Sequence, residues 1–198
     1  MIKKGCFLVI ILALAFGVLF FSVEQTSVDA QAGLATSSAR FVVADEASVS
    51  AYPKTDYPLP YPGILPDNPL YKLKMVRDRL WVFLTPDPID RSELFLLYAD
   101  KRLGAGKALI EGGQVSLGLS TLTKGEKYLE RAVLEAEKAQ KQGKKLNKLP
   151  DKLAKACLGH QEILTELRLG LAAEGKSEID EQLKLVESLT QKLSLFKE

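Results

Sequence analysis

The chain has 198 residues, a formal net charge of +2 and an apolar fraction of 46%. That length fits one compact domain with additional segments, and the apolar fraction excludes a largely disordered protein. The near-balanced charge offers no electrostatic footprint for nucleic acid.

Lys3 and Lys4 form a short basic start (residues 1–5), and the 18 residues from Cys6 to Val23 then run without a charge. This length lies between a signal-peptide core and a membrane-spanning helix. The lysines are expected to stay in the cytoplasm, which sends the rest of the chain across. Residues 6–23 are therefore read as a single-pass anchor, with the C-terminal domain outside the cytoplasm. The alternative is a secreted protein, cleaved near Ala30 after Val28-Asp29-Ala30. Cys6 and Cys157 are then in different compartments, and no intrachain disulfide is expected.

Residues 24–51 are rich in Ala, Ser, Thr and Val with little periodicity and read as a linker, with Arg40 to Val43 as a brief strand candidate. Residues 52–66 carry Tyr52-Pro53, Tyr57-Pro58, Pro60, Tyr61-Pro62-Gly63 and Pro66. Proline fixes φ and removes a donor, so an extended strap is predicted, with its tyrosines docked on the domain behind it.

From residue 67 to 198 the punctuation is helical. Asn68 is placed as a cap and Pro69 at the first helical position. Leu73, Val76, Leu80 and Phe83 then predict one inward apolar face. Thr85-Pro86-Asp87-Pro88 stops this helix, and Asp90 with Glu93 reads as a capping box for the next. The second helix is assigned the face Phe95, Ala99, Leu103, Gly106 and Ile110, ending at Gly112-Gly113. A third, from Val115 to Gln142, has the seam Leu122, Gly125, Leu129, Ala132, Ala136 and Ala139, with Gly143 after it. The fourth opens at Pro150 with Leu153, Cys157, His160, Leu164, Leu167 and Leu171, and is closed by Gly175. Ser177 and Asp180 are read as caps of the fifth, which shows Ile179, Leu183, Val186, Leu189, Leu193 and Phe196. The predicted fold is all-α: an antiparallel bundle of about five amphipathic helices with short connections.

No catalytic constellation is found, and a non-enzymatic protein is expected. Asp87, Asp90, Glu93, Glu126 and Glu130 read as cap or polar-face carboxylates. No Gly-x-Ser-x-Gly elbow or phosphate loop is present. His160, the one histidine, shares the seam of the fourth helix with Cys157. Further ligands that would make these two a metal site are not apparent, so no metal is assigned. Met75 with His160 imitates a haem ligand pair, but no Cys-x-x-Cys-His attachment motif accompanies it, and no cofactor is assigned. Lys141, Lys144, Lys145, Lys148 and Lys152 cluster at the turn between the third and fourth helices and read as a solvated loop.

The stretch from Tyr57 to Lys74, Asp78, the stop at residues 85–88, Leu97 to Gly106 and Thr123 to Leu129 resemble a bacterial family, the domain of unknown function numbered 5667. Its opening reads Pro-Asp-x-Pro-Leu-Tyr-x-Leu-Lys, and the resemblance covers residues 57–140. It implies an extracytoplasmic helical protein and brings no catalytic residue with it. Leu70, Tyr71 and Leu73 of the opening are predicted to staple the extended segment to the bundle.

The expected function is an interaction or structural domain of the bacterial envelope, held at the membrane by residues 6–23, with envelope proteins or the cell wall as partners. The alternative is a carrier that binds a small ligand or cofactor in the bundle core, with Cys157 and His160 as first candidates. No feature fixes an oligomeric state.

Overall fold

A computed structural model describes residues 57–197. The basic start, the apolar run 6–23, the linker 24–51, the strand candidate at Arg40 and the first part of the Pro/Tyr segment lie outside the described residues. So do Cys6 and the cleavage position at Ala30.

Five α-helices follow one another: α1 (Tyr71–Leu84), α2 (Pro88–Glu111), α3 (Val115–Lys141), α4 (Leu149–Leu169) and α5 (Ala173–Ser194), with a 3-10 turn at Leu195–Lys197. The all-α expectation holds among these residues. None of these helices is long and apolar enough to cross a membrane.

Cross-links give the topology of α2–α5. Between α2 and α3, Ser92 Oγ donates to Ala132 O at 2.7 Å, and Gly106 faces Leu122 and Gly118. Positions thus descend on one helix as they rise on the other. The α4–α5 pair runs the same way, with Arg168 Nε donating to Asp180 Oδ1 at 2.5 Å. By contrast, α2 and α4 ascend together: Lys152 pairs with Glu93, His160 with Asp100, and Lys107 with Glu166. This is an up-down-up-down four-helix bundle, as short connections dictate. Its core is lined by residues such as Leu96, Leu103, Leu122, Leu129, Leu153, Leu164, Ile179 and Leu193, each at most 2% exposed. Each such leucine contributes roughly 1.5–3 kcal/mol by leaving water.

The α2–α3 contact is closest at two glycines. A Cβ on Gly106 would lie 2.5 Å from Leu122 Cδ2, and one on Gly118 would lie 2.9 Å from Gly106 O. The helices meet backbone to backbone there.

Several boundaries and one face need correction. Asp87, not Asp90, caps α2: its Oδ1 accepts from Ile89 N at 2.8 Å, and Pro88 takes the first turn, where a missing N–H is harmless. Asn68 Oδ1 accepts from Leu70 N, and α1 begins after that turn, at Tyr71. The fourth helix ends at Gly170 rather than Gly175; Gly175 is buried within α5, and Ser177, assigned as the cap of that helix, lies inside it. The largest departure is in α1. Leu73, Val76, Leu80 and Phe83, predicted to face inward, are 64%, 65%, 56% and 82% exposed. The opposite side of α1, with Tyr71, Met75, buried Asp78 and Val82, lies inward instead.

The predicted staple is corrected with it. Leu70 and Leu73 are exposed. The tie is Lys74, whose Nζ donates to Pro62 O at 2.6 Å and to Ile64 O at 3.3 Å. Residues 57–62 carry no helix, and Tyr57 and Leu59 pack on the core. A Cβ on Gly159 would sit 2.4 Å from the Tyr57 ring, so only glycine admits that ring against α4.

Candidate functional site

Two polar arrangements stand out, one closed and one open. The closed one surrounds His160, which is 0% exposed. Its Nδ1 lies 2.9 Å from Glu126 Oε1 on α3, and its Nε2 lies 3.0 Å from Asp100 Oδ1 on α2. The Tyr57 hydroxyl donates to the same Asp100 carboxylate at 2.9 Å and 3.0 Å. The ring therefore bridges two carboxylates through its two nitrogens, and the segment ahead of α1 closes the chain of bonds.

Burial alone would discharge the imidazole. Glu126 and Asp100 outweigh that and raise its pKa from 6.5 to about 9, so it is an imidazolium at neutral pH. Burial and then the Asp100 charge push the Tyr57 phenol far above its usual range, which keeps it a donor. Cys157 is also 0% exposed, and burial pushes its thiol up to about 12. A thiol in that state is not a nucleophile at neutral pH.

Glu126 overturns its assignment to a polar face: it is 0% exposed. It lies four residues after Leu122 and three before Leu129, so the seam itself carries it inward. Asp87 and Asp90 do lie at a helix start. Asp100 was not singled out in the sequence, although it lies between the inward residues Ala99 and Leu103. A histidine on an apolar seam was the available signal to look for buried carboxylates. Among the described residues, no group of three or more His, Cys, Asp or Glu is arranged to hold a metal ion.

The lysine cluster is tied down at several points. Lys144 pairs with Asp87, Lys141 with Glu137 at 2.6 Å and Lys152 with Glu93 at 3.4 Å. The Lys144 and Lys152 contacts fasten the α3–α4 connection to the start of α2, while the Lys141 pair lies within α3.

The open arrangement is a cleft of about 310 Å³ between α1, α2 and α3. Tyr71, Met75, Arg79 and Val82 come from α1, Phe95 and Arg102 from α2, and Lys124, Lys127, Tyr128 and Arg131 from α3. Five of these ten are cationic and none is acidic. Tyr128 stands between two guanidinium groups, Arg102 at 4.1 Å and Arg131 at 5.5 Å from its ring centre. Cation–π contact of this kind holds a guanidinium in place without neutralising it.

Arg102 is the unusual member. It is 7% exposed, yet none of the ion pairs among the described residues includes it. Its hydrogen-bond partners are neutral: Tyr98 O, 3.5 Å from Nη1, and the Tyr71 side chain. A buried cation without an anion is costly, and a bound anion is the ordinary remedy. Arg79, Lys124, Lys127 and Arg131 also form no ion pair among the described residues, whereas Lys107, Lys138 and Lys192 elsewhere on the surface do. Sequence reasoning passed over this cleft. The spacing of Lys124, Lys127, Tyr128 and Arg131 places them on one face of α3, but the contributions of α1 and α2 have no sequence signature.

Neither Cys157 nor His160 lines the cleft, while Met75 does, so the residues of the imitated haem pair are in different places. No curated protein and no solved structure matches the chain. A family model does match over residues 63–171, which takes in α1 to α4, the whole cleft, and His160 with both its carboxylates. That span starts later and ends later than the 57–140 read from the motifs, and it stops short of α5. The chain therefore belongs to the family described as a domain of unknown function, DUF5667.

Proposed function

We propose that this chain is a membrane-tethered, extracytoplasmic helical domain without enzymatic activity, and that it binds an anionic partner of the envelope in the cleft between α1, α2 and α3. Residues 6–23 supply the tether on the sequence reading above. The observation that carries the binding reading is Arg102, buried at 7% exposure without an ion pair and opening on four further unpaired cations. Tyr71, Phe95 and Tyr128 add ring faces, so the site favours an anion attached to an apolar or planar body. Carboxylates and phosphates both match a guanidinium fork.

The alternative, a carrier with a ligand in the bundle core, has less support. Both nitrogens of His160 are engaged by carboxylates, and Cys157 is packed among leucines. A small ligand would find its polar partners in the cleft.

The test is a binding titration of the full chain with pyrophosphate and with poly-glutamate, repeated on Arg131→Gln with Lys127→Gln. Both residues are exposed, so the fold should persist. Saturable binding that weakens about tenfold in the double variant and falls with added salt is expected. Equal affinity in the variant, or no saturation by either probe, rejects the reading. N-terminal sequencing of the protein recovered from membranes tests the tether separately.

A further inference from the structure

The outward side of α1 is the largest feature that the cleft does not use. Leu73, Val76, Leu80 and Leu84 recur at helical spacing, Phe83 lies beside them, and Trp81 borders the stripe. All are more than half exposed. Leu70, Ile64 and Tyr61 extend the patch and line a shallow cleft with Leu73. An apolar area of this breadth on a single helix calls for something to cover it.

Charge identifies the cover. Besides its apolar residues, α1 carries Lys72, Lys74, Arg77 and Arg79 against one acid, Asp78, which is buried and paired to Arg77 at 2.8 Å. On the outer side only cations accompany the apolar residues, and the Arg77 side chain is 59% exposed. An apolar stripe with an aromatic border and lysine or arginine beside it is the pattern of a helix lying in a lipid–water interface. Long basic side chains bend to reach the headgroups while their stems stay with the acyl chains. A second copy of the same face would instead set these cations against one another.

We infer that α1 is an interfacial helix whose outer face lies in the anionic surface of the membrane that tethers the chain. It goes beyond the cleft reading and shares with it only the tether. The spacing permits it: 33 residues separate Val23 from Tyr57, enough to span at most about 120 Å. With α1 seated this way, its inner face roofs the cleft from the membrane side.

Trp81 is the single tryptophan of the chain and reports on this face alone. The experiment reconstitutes the full chain into vesicles with and without phosphatidylglycerol and reads Trp81 emission against brominated acyl chains and against aqueous acrylamide. Flotation of the vesicles is measured in the same samples. Blue-shifted emission is expected, quenched roughly twofold or more by brominated lipid when phosphatidylglycerol is present. The variant carrying Leu73→Gln, Val76→Gln and Phe83→Gln should lose that quenching while still floating. Equal quenching without phosphatidylglycerol overturns the anionic surface. Protection from acrylamide without quenching by lipid assigns the face to a protein, a second copy included, and overturns the proposal. Free access of acrylamide in a chain that floats overturns it while leaving the tether intact. A chain that does not float and is not quenched overturns both.

Discussion

Along α4, Leu153, Cys157, His160 and Leu164 are all 0% exposed, whereas along α1 Leu73, Val76, Leu80 and Phe83 are 56% exposed or more. The two stripes have the same spacing and similar apolarity. They differ in what stands opposite. α4 is one of the four helices of the bundle and turns this stripe toward the other three, and its one polar member is satisfied on both sides by carboxylates. α1 lies outside that bundle and turns Tyr71, Met75, Asp78 and Val82 toward α2 and α3. Periodicity therefore states which face is apolar, while the remaining helices decide whether that face is covered.

The sharpest way to break this contrast is at the centre of the buried side. His160→Leu leaves Glu126 and Asp100 buried without their cation. Urea unfolding should show a loss of about 3–5 kcal/mol, and a loss under about 1 kcal/mol would contradict the bridging role. Titration probes the same bridge without mutation. The folded pKa of about 9 lies above the ordinary 6.5, so the stabilisation is complete below pH 6.5 and is lost as pH rises through 9. Stability should fall over that window by on the order of 3 kcal/mol, and the His160→Leu protein should lack this slope.

A smaller effect is expected where the segment ahead of α1 meets α4. Gly159→Ala places a methyl 2.4 Å from the Tyr57 ring. Destabilisation of about 1–3 kcal/mol should follow, with faster proteolysis near Tyr57. An unchanged cleavage pattern would show that the ring is not held there. The smallest effect belongs to the exposed side. Leu73→Gln or Val76→Gln in detergent solution should change unfolding stability by less than about 0.5 kcal/mol, because both side chains keep most of their surface exposed on folding. A loss above about 1 kcal/mol would place α1 in the core after all.

Much of the fold was legible because helix signals are local. Proline at the first turn of α2, glycine after α3 and apolar residues three and four apart mark elements wherever those elements end up. The displaced boundary between α4 and α5 arose because Gly175 looks like a terminator in sequence, yet in space it is a place where α5 approaches Leu171. His160 was legible as a seam residue, but its partners were not. Glu126 and Asp100 come from 34 and 60 positions away, and no spacing rule links them. The cleft has the same character, with lining residues from three helices.

By itself, then, the sequence determined that this chain is helical from about residue 67 onward, where its helices lie to within a few residues, and which side of each is apolar. Those properties depend on backbone sterics and side-chain periodicity within one segment. Only the tertiary structure decided that α1 stands outside the four-helix ring, that a protonated histidine is held between two distant carboxylates, and that five unpaired cations converge on one cleft. Such features depend on which helices become neighbours, and that is set by the burial of the whole core at once.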